Sequence, residues 1–180
     1  MNAADVDVAL GAAFVAQRLA ELALAARNRR RLLARGAVEV GASHYPAMVA
    51  LHAGWLAGCV LEGEYSGPLA RVAPWIALAV VGQVLRYAAI AALGARWTTR
   101  VVVLPGAPPI RRGVFRLLRH PNYLGVALEL FAVPMIVDAP WTATVATALN
   151  AILLRRVRIP CEERALASAA AGDAPAAMER

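Results

Sequence analysis

At 180 residues the chain has room for one compact domain. Its residues are 60% apolar and only 17% charged, with a mean hydropathy of +0.55, which sets it apart from soluble domains. The formal charge of +7 rests on arginine, with no lysine, and these arginines cluster between apolar blocks; they read as a membrane topology signal and speak against nucleic-acid binding.

The opening stretch Met1-Asn2-Ala3-Ala4-Asp5-Val6-Asp7 carries acids and no basic region, unlike a cleaved signal peptide. Five apolar blocks follow, at 6–26, 42–61, 72–93, 123–137 and 141–154. A helix needs about 20 residues to cross a hydrocarbon core of about 30 Å, and the first three blocks reach that length. The last two are shorter, are joined by Asp138-Ala139-Pro140, and read as a helical hairpin. They cross if arginine-bearing turns extend them and snorkel; a re-entrant hairpin is the alternative.

Arginine placement orients the stack. Arg27, Arg29, Arg30, Arg31 and Arg35 separate blocks one and two. Arg96, Arg100, Arg111, Arg112, Arg116 and Arg119 separate three and four, and Arg155, Arg156, Arg158 and Arg164 follow block five. The other connections hold Glu62, Glu64 and Asp138 against Arg71. The positive-inside rule then predicts an all-α integral membrane protein with about five spans, N-terminus out and C-terminus in, ending in a cytoplasmic helix. Trp55, Trp75, Trp97 and Trp141 fall in or beside the blocks, as belt residues would. Cys59 and Cys161 lie on opposite sides in this topology and are not expected to pair. Residues 1–112 form a three-helix part, 113–166 the hairpin with its inner-face motifs, and 167–180 an Ala/Pro/Asp-containing tail expected to fray.

The densest signal is Gly113-Val114-Phe115-Arg116-Leu117-Leu118-Arg119-His120-Pro121-Asn122-Tyr123-Leu124-Gly125. Pro121 suits the first turn of the fourth helix, where its missing N–H costs nothing. Arg119 and His120 then lie at the membrane face beside a helix N-terminus, a place suited to an anion. The plainer alternative is a topogenic arginine with an interfacial histidine. The second signal is Arg158-Ile159-Pro160-Cys161-Glu162-Glu163-Arg164-Ala165-Leu166. Pro160 again marks a helix start, and acids in a first turn favour the helix dipole whether or not they bind anything. If they bind, Glu162 or Glu163 takes hydroxyls or an ammonium, and the hairpin brings His120 and Glu163 to one site.

Polar groups also lie inside the blocks, where they are costly and line a cavity or find a partner. Arg18 and Glu21 are three apart and can pair on one face, as can Gln83 and Arg86. Glu129, about two turns from His120, is the candidate buried carboxylate facing substrate. His44, His52 and Asn150 complete the set, and with no third ligand nearby the histidines predict no metal site.

Gly-x-Phe-x-x-x-Arg-His-Pro-x-Tyr-x-Gly followed by Arg-x-x-x-Glu-Glu-x-x-Leu resembles the isoprenylcysteine carboxyl methyltransferase family, over 113–166. Arg27-Asn28, Arg35-Gly36-Ala37-Val38-Glu39 and His44-Tyr45-Pro46 resemble its bacterial branch. The resemblance implies a membrane methyltransferase that uses S-adenosylmethionine at the cytosolic mouth of a helical hairpin, with a lipophilic substrate entering from the bilayer. It implies cofactor contacts from Arg119, His120, Pro121, Tyr123, Gly125, Arg158, Glu162 and Glu163. Some of this branch resemble O-methyltransferases associated with type III polyketide synthases, which act on long-tailed phenols and enols. Phe115 stands where the family often has Tyr, and the segment after Leu166 lacks the aromatics of eukaryotic members, so a small lipid is expected rather than a prenylated protein.

A carboxylate acceptor needs no base, whereas a phenol with pKa near 10 gains from one, and Glu129 or His44 is the expected candidate. Two other readings share this architecture. An NADPH-dependent membrane reductase of sterol type would call for a basic cluster against a ribose phosphate. A non-catalytic scaffold would tolerate substitutions in both motifs. The expected location is the bacterial inner membrane with the site facing the cytoplasm; the oligomeric state is not fixed, since no small-residue dimer face announces itself.

Overall fold

The computed structural model describes residues 3–63 and 69–171, and the side chains of 12–63 and 71–171. Glu64 and the tail from 172 onward lie outside the described residues. Helices run at Ala3–Leu33 (α1), Tyr45–Glu62 (α2), Leu69–Leu93 (α3), Pro121–Ile136 (α4), Pro140–Leu153 (α5) and Ile159–Ala170 (α6). Five of them, α1 to α5, match the five apolar blocks, with α2 starting three residues later than its block. Among the described residues one helical stretch, Arg71–Arg96, is long and apolar enough to cross a membrane, and Pro121–Ile136 is a shorter apolar helix. Apolar side chains nevertheless stand exposed on several helices, among them Leu19, Val60, Val84 and Ile152. In water such surface would invite aggregation; in hydrocarbon it is the ordinary lining.

Helix α1 outlasts its apolar block and carries the Arg27–Arg31 run to Leu33. Gly36 stops it. At φ 84° it takes the left-handed turn, its N–H donates to the Leu33 carbonyl, and that of Ala37 donates to Leu32, both at 3.0 Å. The chain then enters a strand the sequence pattern did not predict. Val38–Val40 (β1) pairs antiparallel with Val101–Val103 (β2), Glu39 opposite Val102. Three residues are too few for an alternating pattern to show. The ribbon exists because Val40, Val101 and Val103 bury themselves against Ala165 and Ala169 of α6. Helix α6 is thus still packed at Ala169, beyond the point where the frayed tail was expected to begin.

Among the described residues the most extensive helix packing is between α3 and α4. It depends on two glycines. A Cβ on Gly82 would meet the Gly125 carbonyl at 2.9 Å, and one on Gly125 would meet the Gly82 carbonyl and Arg86 Cγ at 2.7 Å. Backbone thus lies against backbone, as in close membrane-helix packing. Helices α4 and α5 form the expected hairpin, turned by Asp138 at φ 57°. Helix α2 runs antiparallel to α5. Gly58 lies against Thr142, Trp55 packs with Leu130 and Ala146, and further on His44 meets Arg158.

Two tryptophans depart from the belt expectation. Trp55 is buried and donates from Nε1 to the Leu130 carbonyl at 3.0 Å, and Trp97 is buried too. Both are apolar bulk, and Trp55 has its indole N–H satisfied. Trp141 is 76% exposed, as a belt residue would be. The end of the bundle poor in arginine is tied by its acids. Glu62 accepts the N–H groups of Trp141 and Thr142 at 2.7 Å each, capping α5 from another helix, and Asp138 pairs with Arg71 at 3.3 Å.

Candidate functional site

The two sequence signals converge at the arginine-rich end. Pro121 occupies the first turn of α4, which leaves Arg119 and His120 just ahead of the helix. On the facing side α5 does not end. A π-helical turn, Leu154–Arg158, joins it to α6. Pro160 explains the turn, because its ring would clash with the carbonyl four residues back in an unbroken α-helix, and a wider turn relieves that clash.

Arg158 is the hub. It is 4% exposed. Its Nε donates to the Tyr123 hydroxyl at 3.0 Å, Nη2 to the Thr99 carbonyl at 2.9 Å, and Nη1 lies 3.3 Å from His44 Nε2. Tyr123 donates its own proton to Glu162. Glu163 Oε1 lies 3.2 Å from His120 Nε2 and 3.5 Å from Arg119 Nη2. The rings of His120 and Tyr123 stack with centroids 5.6 Å apart. Arg119, His120, Tyr123, Arg158, Glu162, Glu163 and His44 thus form one cluster.

A second cluster lies deeper between the helices. Glu129 Oε2 accepts from Arg18 at 2.7 Å and pairs with Arg86 at 3.4 Å; Glu21 pairs with Arg18 at 3.0 Å and with Arg86. Arg18 and Glu21 pair as expected, but Arg86 bonds the two carboxylates rather than Gln83, which bonds Gln17. The result is one assembly of two guanidiniums and two carboxylates with no net charge. Such assembly is what makes these groups tolerable at that depth. A cavity of about 1170 Å³ connects the two clusters. Pro121, Tyr123 and Arg158 line its mouth, and Glu129, His52 and Asn150 line its inner part.

The expected bases are otherwise engaged. Glu129 holds two guanidiniums. An arginine cannot accept a hydrogen bond, so His44 Nε2 receives one from Arg158 and its lone pair is occupied. Burial first, and the Arg158 charge second, push the His44 pKa below its ordinary value. Gly125 faces α3 and carries the helix crossing, so its link to the mouth is through the placement of α4.

Some residues were missed or left without a role. The Thr99 carbonyl, a backbone group in an irregular loop, carries no sequence signal. Asn150 is 1% exposed and both its amide atoms lack a partner, at a cost of about 1–3 kcal/mol. His52 and Asn150 were visible only as polar residues in apolar helices. Of the bacterial-branch signature, His44 joins the mouth cluster, whereas Asn28 and Glu39 are architectural. Asn28 donates to the Trp97 carbonyl at 2.9 Å, while Glu39 takes Arg29 and Arg100 at 2.6 Å each, with Arg100 also lying over the Tyr45 ring. Burial opposes ionisation of Glu39, but the two guanidiniums prevail and hold its carboxyl below the usual range. These contacts latch the loop that carries Thr99 to α1.

Fold and site together define a helical membrane protein with a two-motif pocket at one end. Residues 75–168 match the profile of the isoprenylcysteine carboxyl methyltransferase (ICMT) family. The chain is 35% identical over 161 residues to the uncharacterized protein YpbQ of Bacillus subtilis (strain 168), covering 86% of this chain and 93% of that one. It is 27% identical over 158 residues to an uncharacterized protein of Haemophilus influenzae, covering 86% and 91%. No solved structure matches it. The chain belongs to the isoprenylcysteine carboxyl methyltransferase family, a family of membrane methyltransferases that use S-adenosylmethionine.

Proposed function

We propose that this protein transfers a methyl group from S-adenosylmethionine to an oxygen of a lipophilic small molecule, in the bacterial inner membrane with the site open to the cytoplasm. One observation carries the reading. Both motifs meet at the mouth of a single cavity that continues inward among apolar helices. The mouth suits a polar, zwitterionic cofactor and the inner part suits an apolar acceptor, which reaches it from the bilayer.

The mouth residues fit this cofactor by their donor set. Glu162 and Glu163 offer carboxylates to ribose hydroxyls or an ammonium, and the exposed Arg119 guanidinium is suited to a carboxylate. When bound, S-adenosylmethionine supplies the electrophilic methyl group. The chain supplies alignment and dryness. Arg158 holds Tyr123 and the Thr99 loop in one geometry, Tyr123 holds Glu162, and the buried helices exclude water. The acceptor is a long-tailed phenol or enol, or a carboxylic acid.

Calorimetric binding of S-adenosylhomocysteine to detergent-purified protein tests the assignment, with Glu163→Gln alongside. The expected outcome is binding that weakens about tenfold or more in the variant, since a charged hydrogen bond contributes about 1.5–3 kcal/mol. A folded protein that does not bind the compound removes the methyltransferase assignment for this chain.

A further inference from the structure

The inner part of the cavity holds two polar groups with no role in the mouth cluster. His52 sits on α2, and its Nδ1 lies 2.8 Å from the Met48 carbonyl one turn earlier. A carbonyl only accepts, so Nδ1 carries the proton, and in the neutral ring Nε2 presents a lone pair. No group among the described residues bonds Nε2. Asn150 on α5 is buried with neither amide atom partnered.

Helix register puts the two at one level. Gly58 lies against Thr142, Trp55 packs with Ala146, and His44 meets Arg158. Along this antiparallel pair, position 52 falls opposite 149–150. Both residues line the cavity. Asn150 stands about two helical turns inward of Arg158.

We infer that His52 and Asn150 form the acceptor subsite, and that it takes a hydroxyl whose proton passes to His52 Nε2 during methyl transfer. The inference rests on the methyltransferase reading above. In the step, the acceptor oxygen forms a bond to the methyl carbon while the carbon–sulfur bond breaks. The electron pair stays on sulfur, leaving a neutral thioether. The hydroxyl proton moves to Nε2, giving an imidazolium that later releases it to water, so one positive charge enters and one remains. Asn150 orients the acceptor through its amide. The charged groups of the neighbouring helices are Arg18 and Glu21 on α1, Arg86 on α3 and Glu129 on α4, two guanidiniums and two carboxylates. A carboxylic acid, already ionised, would need no such proton acceptor.

The test uses the full chain in detergent. S-adenosylhomocysteine affinity is measured first for the unaltered protein, His52→Gln and Asn150→Leu. Absence of binding to the unaltered protein brings down the methyltransferase reading itself; the further measurements separate that failure from failure of the subsite. Methyl transfer is then followed to a long-chain alkylphenol (pKa about 10), a long-chain nitrophenol (pKa about 7) and a fatty acid. With S-adenosylhomocysteine binding within about twofold of the unaltered protein, His52→Gln loses about 10²-fold or more on the alkylphenol, yet stays within several-fold on the nitrophenol, which ionises unaided. Equal loss on both phenols, no loss on the alkylphenol, or transfer to no hydroxyl acceptor overturns the proposal. Asn150→Leu loses the rise in thermal midpoint that the alkylphenol alone gives the unaltered protein; an undiminished rise removes Asn150. Nitrogen NMR of labelled histidine, with His52 assigned by elimination through His44→Gln and His120→Gln, decides the case even where His52→Gln fails to fold. The expected His52 signal is protonated at Nδ1 and free at Nε2, and the opposite tautomer overturns the proposal.

Discussion

Arg158 shows how one buried side chain sets a site. Its three contacts reach α4, the loop before β2 and the turn before α2, so it aligns parts of the chain far apart in sequence. Two neighbouring groups make the arrangement sensitive to acid. His44 is depressed from 6.5 by burial and by Arg158, and Glu39 from 4.5 by its two guanidiniums against its burial. Both folded values lie below the unfolded ones, so the unfolded chain binds more protons in each window and stability rises with pH. The His44 contribution is complete above pH 6.5 and is lost as pH falls through its folded value. The Glu39 contribution is complete above 4.5 and is lost at lower pH still. Thermal midpoints between pH 8 and 4 are therefore expected to fall with acid, and His44→Gln to flatten the upper part of the curve. A variant curve parallel to the unaltered one throughout would contradict the role given to His44.

Helices were the legible level of this molecule, and the ways they meet were not. Apolar runs bounded by Gly, Pro and Arg located α1 to α5 because burial and propensity agree there. The π-helical turn escaped because Pro160 reads equally well as a helix start. The valine ribbon escaped because its stability comes from α6 and not from its own three residues. The α3–α4 contact escaped because a helical glycine is silent about what lies against it. That contact gives a direct prediction. Gly125→Ala forces a methyl onto the Gly82 carbonyl and the Arg86 Cγ, so α3 or the Arg86 side chain that pairs with Glu21 and Glu129 must shift. The expected cost is about 1–3 kcal/mol, read as a lower thermal midpoint. Gly54→Ala on α2 is the control, since a Cβ there meets nothing within 4 Å. It is expected to be neutral or stabilising by up to about 1 kcal/mol. Equal effects at the two sites would remove the crossing as an explanation.

Over the whole molecule, charge and topology agree in a way no single helix could show. Arg29, Arg100 and Arg158 come from segments separated by apolar helices, yet all contribute to one end through Glu39, Thr99 and His44. The other end is tied by Glu62 and by the Arg71–Asp138 pair. That alternation is what helices traversing the bilayer in turn would produce, although among the described residues only Arg71–Arg96 has the length and composition of a span by itself. The shorter α4 packs against it and α5 packs against α4 and α2, and both border charged turns that can reach the headgroups. A cofactor as polar as S-adenosylmethionine is available in the cytoplasm, so the proposed function predicts that the Arg119–Glu163 mouth faces inward. Single cysteines placed at Asp138 and at Arg111 in a Cys59→Ser, Cys161→Ser background test this with a membrane-impermeant maleimide on spheroplasts. Asp138→Cys is expected to label in intact spheroplasts and Arg111→Cys only after lysis. The reverse pattern would put the cluster of Arg158, Tyr123 and Glu162 outside, where neither the positive-inside rule nor the cofactor supply could account for it.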